Sequence, residues 1–214
     1  MNKIFCLSLA ICLCLCAAGA LAGCGRAPRV GDIRADVIAL VEASYEINEV
    51  FFGAGLPVLD RTAEEYADLY AYYAPSTANT YDIVDVAHAK FGSIQAVRAA
   101  AERVYSADLL ESNLYVNAFT GYAVSGIGSS VIASDPLYVE DGDYFYQSVS
   151  HRNYLTHGMK IFDYDTMKIT PPSTANAVYV TMNAWYASDP ATVLSERVRL
   201  VRESDGWRLD SLTV

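Results

Sequence analysis

The chain has 214 residues, with 15 basic and 25 acidic side chains and a formal net charge of −10. That length allows one medium-sized domain and a leader. The acidic balance excludes nucleic-acid binding, because an acidic surface repels the phosphate backbone and no basic stripe with interleaved aromatic residues is present.

The first 23 residues have the order of a lipoprotein signal peptide. Lys3 gives a positive start, residues 4–20 form an apolar run, and Leu21-Ala22-Gly23-Cys24 resembles the bacterial lipobox in every position. We therefore expect a leader over residues 1–23, cleavage before Cys24, and a diacylglycerol thioether and palmitate on that cysteine. The alternative, a transmembrane helix, is weaker because the run is short and no basic stop-transfer cluster follows it.

The cysteines bear on the chemistry of the mature domain. All five lie in the leader or at its boundary: Cys6, Cys12, Cys14, Cys16 and Cys24. The domain therefore has no thiol for a disulfide, a nucleophile or a metal ligand. Loss of the leader removes Lys3 and no acid, which leaves 14 basic against 25 acidic residues, a net charge of −11. Because negative charge disfavours anionic lipid, we expect the acyl chains to hold the protein on the extracytoplasmic side of the bacterial cell membrane.

The helical half of the domain is predicted from apolar spacing and capping signals. Residues 24–31 form the lipidated cysteine and a tether, and residues 32–214 form a single α+β domain, helical over 32–120. Asp32 is predicted to cap a helix that runs to about Phe52, with one apolar face. A capping-box pattern opens a second helix over residues 62–73, and two serines cap further helices over 94–104 and 107–115. Residues 80–86 fit either a short strand or an extended link.

The strand half, residues 121–214, begins where helical spacing disappears. Asp-Gly pairs at positions 141–142 and 205–206 are hairpin signals. Strands are predicted over 137–140, 144–148, 159–162, 166–169, 177–186, 192–203 and 207–212. In the last of these, Trp207 and Leu209 should face the core while Arg208 and Asp210 point away. Helices followed by strands indicate helices packed on one face of a curved antiparallel sheet.

No pattern predicts a catalytic, metal or cofactor site. Nucleophile-elbow, zinc-helix, phosphate-loop and dinucleotide motifs are missing from the sequence. His151 and His157 lie six residues apart, which is no metal-ligand spacing, and both are interpreted as surface or turn residues. The acidic turns at 140–143 and 163–165 lack the ligand pattern of a calcium loop. They are interpreted first as solvated loops and second as docking loops.

The order of segments in the mature chain resembles the IseA-type inhibitors of cell-wall D,L-endopeptidases. An amphipathic helix ends at FFGAGLPV, a segment KFGSIQAVRAAAERVYSADLL follows, and the chain closes with SDGWRLDS. Lipoproteins with cystatin-like or nuclear-transport-factor-like folds also end on a Gly-Trp-Arg strand. The resemblance implies a cystatin-like fold and a non-catalytic protein that binds the cleft of a secreted Cys-dependent wall hydrolase and restrains lysis. We expect it to act as a monomer.

Two surfaces are candidates for binding. Projecting loops that carry charge and an aromatic ring fit a cleft better than a flat sheet does, so the predicted contact residues are Asp141, Asp143, Tyr144, Asp163 and Asp165. The alternative is a ligand-binding module with a pocket between helix and curved sheet, lined by Tyr179, Trp185 and Trp207. The two hypotheses differ in whether these rings enclose an open cavity.

Overall fold

The structure is a computed structural model that describes residues 26–67, 81–125 and 131–214, with only the backbone described over 122–125 and 131–133. The helices are α1 (Val30–Phe52), α2 (Ile94–Ala101) and α3 (residues 107–120). A 3-10 turn covers Glu64–Tyr66. The strands in these ranges are β1 (Tyr81–Ile83), β2 (Tyr122–Ser125), β3 (Val131–Ser134), β4 (Tyr138–Asp141), β5 (Tyr144–Ser148), β6 (Lys160–Thr170), β7 (Ala177–Tyr186), β8 (Asp189–Glu203) and β9 (Gly206–Leu209).

The main sheet has four antiparallel strands in the order β6-β7-β8-β9, and α1 packs on one of its faces. Alternation along β7 explains which face is covered, because Val178, Val180, Met182 and Ala184 are buried while the residues between them are half-buried. A smaller antiparallel sheet has the order β1-β5-β4, and β2 pairs with β3. The α+β class is thereby confirmed, with an N-terminal helix on a four-stranded antiparallel sheet.

The apolar stripe of α1 is confirmed, but the start of the helix is not where the sequence placed it. The stripe residues are buried: Ile33, Val37, Leu40, Val41, Ile47 and Phe51. The N-cap is Arg29, and Asp32 is the third helical residue, where its carboxylate accepts a hydrogen bond from the Arg29 backbone N–H (2.8 Å). The prediction that Asp32 is the cap is therefore wrong by three positions. Its negative charge still lies in the first turn, where it stabilises the helix.

Two serine caps are confirmed. The Ser93 hydroxyl oxygen accepts from the Ala96 N–H (3.0 Å), and the Ser106 hydroxyl oxygen accepts from the Leu109 N–H (3.2 Å). Helix α2 then ends at Ala101. Helix α3 has one α-helical turn followed by wider π-helical turns, and it buries Leu110 and Leu114. The predicted helix over 62–73 is a 3-10 turn where it is described, and its part beyond residue 67 lies outside the described residues.

Two predictions about the strands are wrong. The segments 159–162 and 166–169 belong to one strand, β6, whose pairing with β7 shifts between Asp163 and Lys168 through a bulge. Asp210 does not point to solvent, because it forms an ion pair with Arg199 and accepts a hydrogen bond from the Ser106 hydroxyl, and its side chain is 8 % exposed. The ambiguous segment at 80–86 contains a strand, β1, which pairs with β5.

Candidate functional site

The β4–β5 hairpin presents three of the predicted contact residues at its tip. Asp141 pairs with Tyr144 across a two-residue turn that contains Gly142 at φ +57° and Asp143. All of these residues are exposed, and Tyr144 keeps 40 % of its surface accessible. Its ring lies 6.2 Å from the ring of Tyr146 in the same strand. The tip therefore combines two carboxylates and one aromatic ring on a short, hydrogen-bonded turn.

This hairpin is anchored to the helical half of the domain. The Glu140 carboxylate accepts a hydrogen bond from the backbone N–H of Ile94, the first residue of α2 (2.8 Å). A free N–H at a helix start has no partner within the helix, so this contact satisfies it and fixes the hairpin against α2. The position of the acidic tip is thus set by a contact between two elements and not by the turn alone.

The other two predicted contact residues lie in the bulge of β6. The Asp163 carboxylate accepts from the Asp165 N–H (3.1 Å), and the Thr166 hydroxyl donates to the Asp163 carbonyl and accepts from the Asn183 N–H. Asp165 forms an ion pair with Arg34 of α1 (2.7 Å), although its side chain is 92 % exposed. An ion pair this exposed contributes at most about 1 kcal/mol.

The two acidic turns do not belong to one element or one sheet. Asp141 and Asp143 lie on the three-stranded sheet beside α2, whereas Asp163 and Asp165 lie on the edge strand of the main sheet beside α1. The two acidic turns therefore share no helix, strand or sheet. Their role as contact residues stays a prediction.

The predicted lipidation residue, Cys24, lies outside the described residues, as does the predicted leader over 1–23. The described chain begins at Arg26, four residues before α1. No helix within residues 26–67, 81–125 and 131–214 combines the length and the apolar character that crossing a bilayer requires.

His151 has a more defined role than the sequence indicated. Its Nε2 donates to the Val50 carbonyl (2.9 Å) near the end of α1, and its ring meets the Tyr138 ring edge to face at 5.9 Å. The Tyr138 hydroxyl donates to the same carbonyl (2.8 Å), and burial raises the pKa of this tyrosine well above its ordinary value near 10. His151 therefore helps to cap a helix end, where orphan carbonyls need donors.

The other two histidines lie apart from this cap. His88 bonds the carboxylate of Asp85 (2.7 Å) at an exposed site, and His157 lies 5.6 Å from the ring of Tyr186. In the part of the chain that the structure describes, no three His, Cys, Asp or Glu side chains come close enough to hold a metal ion.

The structure contains a buried polar cluster that the sequence patterns did not predict. Ser44, Asn48, Tyr105 and Thr213 are almost fully buried. The Tyr105 hydroxyl donates to Asn48 Oδ1 (2.6 Å), Asn48 Nδ2 donates to the Thr213 hydroxyl oxygen (2.8 Å), and the Ser44 and Thr213 hydroxyls lie 2.7 Å apart. The signal was available, because Ser44 and Asn48 lie four residues apart on the apolar stripe of α1. The Ser44 hydroxyl also donates to the Val41 carbonyl (2.6 Å), so every polar side-chain atom of the cluster has a hydrogen-bond partner and the cluster is structural in character.

The three aromatic residues of the predicted pocket lie on two different faces of the main sheet. Tyr179 and Trp185 alternate with the buried residues of β7, so they lie on the face away from α1. Trp207 pairs with Arg202 and packs against the core beside α1. The expectation that all three rings line one pocket is therefore wrong. Of these three residues, Trp207 lines a cavity of about 370 Å³ near the start of α1, and Tyr179 and Trp185 do not.

Comparison with protein-family models, with curated proteins and with solved structures finds no match in any of the three. The resemblance to the inhibitor family therefore rests on the order of segments in the chain and stays a prediction.

Proposed function

We propose that this protein is a lipid-anchored, extracytoplasmic binding protein that inhibits a cell-wall D,L-endopeptidase and catalyses no reaction itself. A cystatin-like arrangement of helix and sheet is part of the proposal. The observation that supports it best is the acidic hairpin tip, where Asp141, Asp143 and Tyr144 project together from a turn that Glu140 fixes to α2. A projecting, preorganised loop suits insertion into a cleft, because little conformational freedom is lost on binding.

The chemistry of the tip matches this role. Exposed carboxylates steer the approach to a basic cleft and select against acidic ones. The Tyr144 ring adds contact area with few rotatable bonds, which is typical of residues that dominate binding energy. Asp165 should contribute less, because a cationic group of the partner would have to compete with Arg34 for its carboxylate.

A titration of residues 25–214 into a D,L-endopeptidase digestion of purified peptidoglycan tests the proposal. We expect lysis to fall to near zero at an equimolar ratio. Undiminished lysis at a large excess of the domain would contradict inhibition of the hydrolase used.

Matched variants then map the contact. Asp143→Asn and Tyr144→Ala should each raise the half-inhibitory concentration by about tenfold or more, as expected for central interface residues. Asp135→Asn removes the same charge from another exposed position and should leave inhibition unchanged. Equal effects of Asp143→Asn and Asp135→Asn would show that overall charge, and not the hairpin tip, carries the interaction.

A further inference from the structure

A cavity of about 370 Å³ lies where the start of α1 meets the β8–β9 hairpin. Ile33, which is buried, and Trp207, which is half-buried and packs on the core, provide its apolar surface. The preceding segment and the β6–β7 loop complete the lining. The volume falls within the range of small-molecule sites, roughly 300–1,000 Å³.

Charges of both signs line this cavity. Asp32 and Asp36 lie one helical turn apart on α1, Arg202 lies on β8, and Arg26 precedes the helix. Within the part of the chain that the structure describes, none of these four side chains forms an ion pair, although seven pairs of Lys or Arg with Asp or Glu are present there. Opposite charges that line one cavity without neutralising each other suit a ligand that carries both signs.

The wall that bears Arg202 is held by regular backbone pairing. Arg202 pairs with Trp207 in the β8–β9 ladder, and its backbone N–H donates to the Asn176 carbonyl (2.8 Å) in the β6–β7 loop. The Arg202 guanidinium lies 6.0 Å from the centre of the Trp207 ring, within reach of a cation–π contact. The cation and the aromatic wall are therefore placed together before any ligand arrives.

We propose that this cavity binds a small dipolar molecule of about dipeptide size, with a free ammonium and a free carboxylate. Arg202, with Arg26, binds the carboxylate, because a guanidinium offers two parallel donors to it. Asp36, with Asp32, accepts from the ammonium. Trp207 and Ile33 contact the apolar middle of the ligand. A ligand with a single charge would leave either the two arginines or the two aspartates without an oppositely charged group. The inference is independent of the peptidase partner, since the hairpin tip contributes no residue to this cavity.

Alanylalanine is the probe, and the two tryptophans of the chain give the readout. In an NMR titration of residues 25–214, the indole N–H of Trp207 should shift with saturation. That of Trp185, on the opposite face of the sheet, should not. A Trp207→Phe variant assigns the two signals. The N-acetylated dipeptide lacks the ammonium and the dipeptide amide lacks the carboxylate. Each should bind at least about tenfold more weakly than alanylalanine, because a hydrogen bond to a charged group accounts for at least that factor.

Variants of the cavity complete the test. Asp36→Asn should weaken binding of alanylalanine and leave binding of the N-acetylated form unaffected. Arg202→Gln should likewise weaken binding of alanylalanine and leave binding of the dipeptide amide unaffected. Asp135→Asn and Arg152→Gln, at exposed positions outside the cavity, are the matched controls, and backbone spectra verify the fold of every variant. Three outcomes would overturn the proposal: no saturable shift of Trp207, equal shifts of both tryptophans, or equal affinity for the free and the blocked dipeptides.

Discussion

Ser44 and Asn48 interrupt the apolar stripe of α1 with polar groups that are fully buried. Such groups are tolerated only when their hydrogen bonds are satisfied, because an unpaired buried donor or acceptor costs about 1–3 kcal/mol. Tyr105 and Thr213 provide that satisfaction from outside the helix. Ser44 and Asn48 therefore specify that the segments of Tyr105 and Thr213 pack against α1. An apolar residue at either position would not select these partners.

Replacing Asn48 tests this account. Asn48→Leu should lower the free energy of unfolding by about 1–3 kcal/mol, because the Tyr105 hydroxyl loses its buried acceptor. Adding Tyr105→Phe should recover part of the loss, since both partners are then apolar. Urea unfolding measures the differences, and Glu42→Ala on the exposed face of α1 should stay within about 0.5 kcal/mol of the parent. A fully stable Asn48→Leu variant would contradict the account.

At the scale of elements, α2 depends on partners at its first turn. Ser93 caps one N–H of this eight-residue helix, and the Glu140 side chain caps the N–H of Ile94. A helix this short is marginal by itself, so caps and tertiary packing must stabilise it.

Removal of the Ser93 cap should therefore be measurable. Ser93→Ala should destabilise the domain by about 1 kcal/mol, whereas Ser93→Asp should keep most of the stability, because a carboxylate also accepts from the helix N–H groups. Denaturant midpoints with an unchanged slope give the comparison. If alanine and aspartate behaved alike, the cap would have no energetic role.

Tyrosines with raised pKa values on several elements make the stability of the whole molecule fall at alkaline pH. Burial raises the pKa of Tyr105, Tyr115, Tyr138 and Tyr164 above the ordinary value near 10. The unfolded chain therefore loses these protons at lower pH than the folded one. Their contribution is fully present below about pH 10 and is lost as pH rises above it. The loss is up to about 1.4 kcal/mol per pH unit for Tyr105 and for Tyr138, and smaller for Tyr115 and Tyr164, whose hydroxyls are less deeply buried and are partly screened by water.

Unfolding free energies between pH 8 and 11.5 should show this decline. Tyr138→Phe should make the fall above pH 10 shallower, because one titrating group is removed from the core. Tyr154→Phe, at a position 69 % exposed, should leave the slope unchanged. Stability that stayed constant to pH 11.5 would show that these hydroxyls do not titrate differently in the two states.

Local patterns predicted the elements that depend on local physics. Apolar spacing located α1, alternation located β7 and β8, and Asp-Gly pairs located two hairpins. Some failures were local, such as the N-cap placed at Asp32 and the division of β6 into two strands, and others concern contacts between distant segments. The burial of Asp210 depends on Ser106, 104 residues away, and the partner of Ser44 is Thr213, 169 residues away. No window of the sequence contains such pairs.

The candidate site was predicted less well than the fold, for a similar reason. Hairpin chemistry was enough to place Asp141, Asp143 and Tyr144 at an exposed tip. The cavity beside Trp207 requires the register of β8 against β9 and the position of the start of α1. Strand parity alone could have separated Tyr179 and Trp185 from the covered face, because both alternate with the apolar residues of β7.

The contact between Thr213 and α1 also sets the order in which the chain can fold. When the chain emerges from its N-terminus, α1 appears first. Its buried polar side chains nevertheless take their hydrogen-bond partners from Tyr105 and Thr213, and its apolar stripe packs on β6 and β9. Contacts of such long sequence separation form slowly, since the loop entropy is lost before they stabilise anything. Helix α1 therefore cannot complete its buried contacts until nearly all of the chain has been delivered. If the protein is exported as proposed, this late completion of the core would keep the chain open enough to be threaded through a narrow channel.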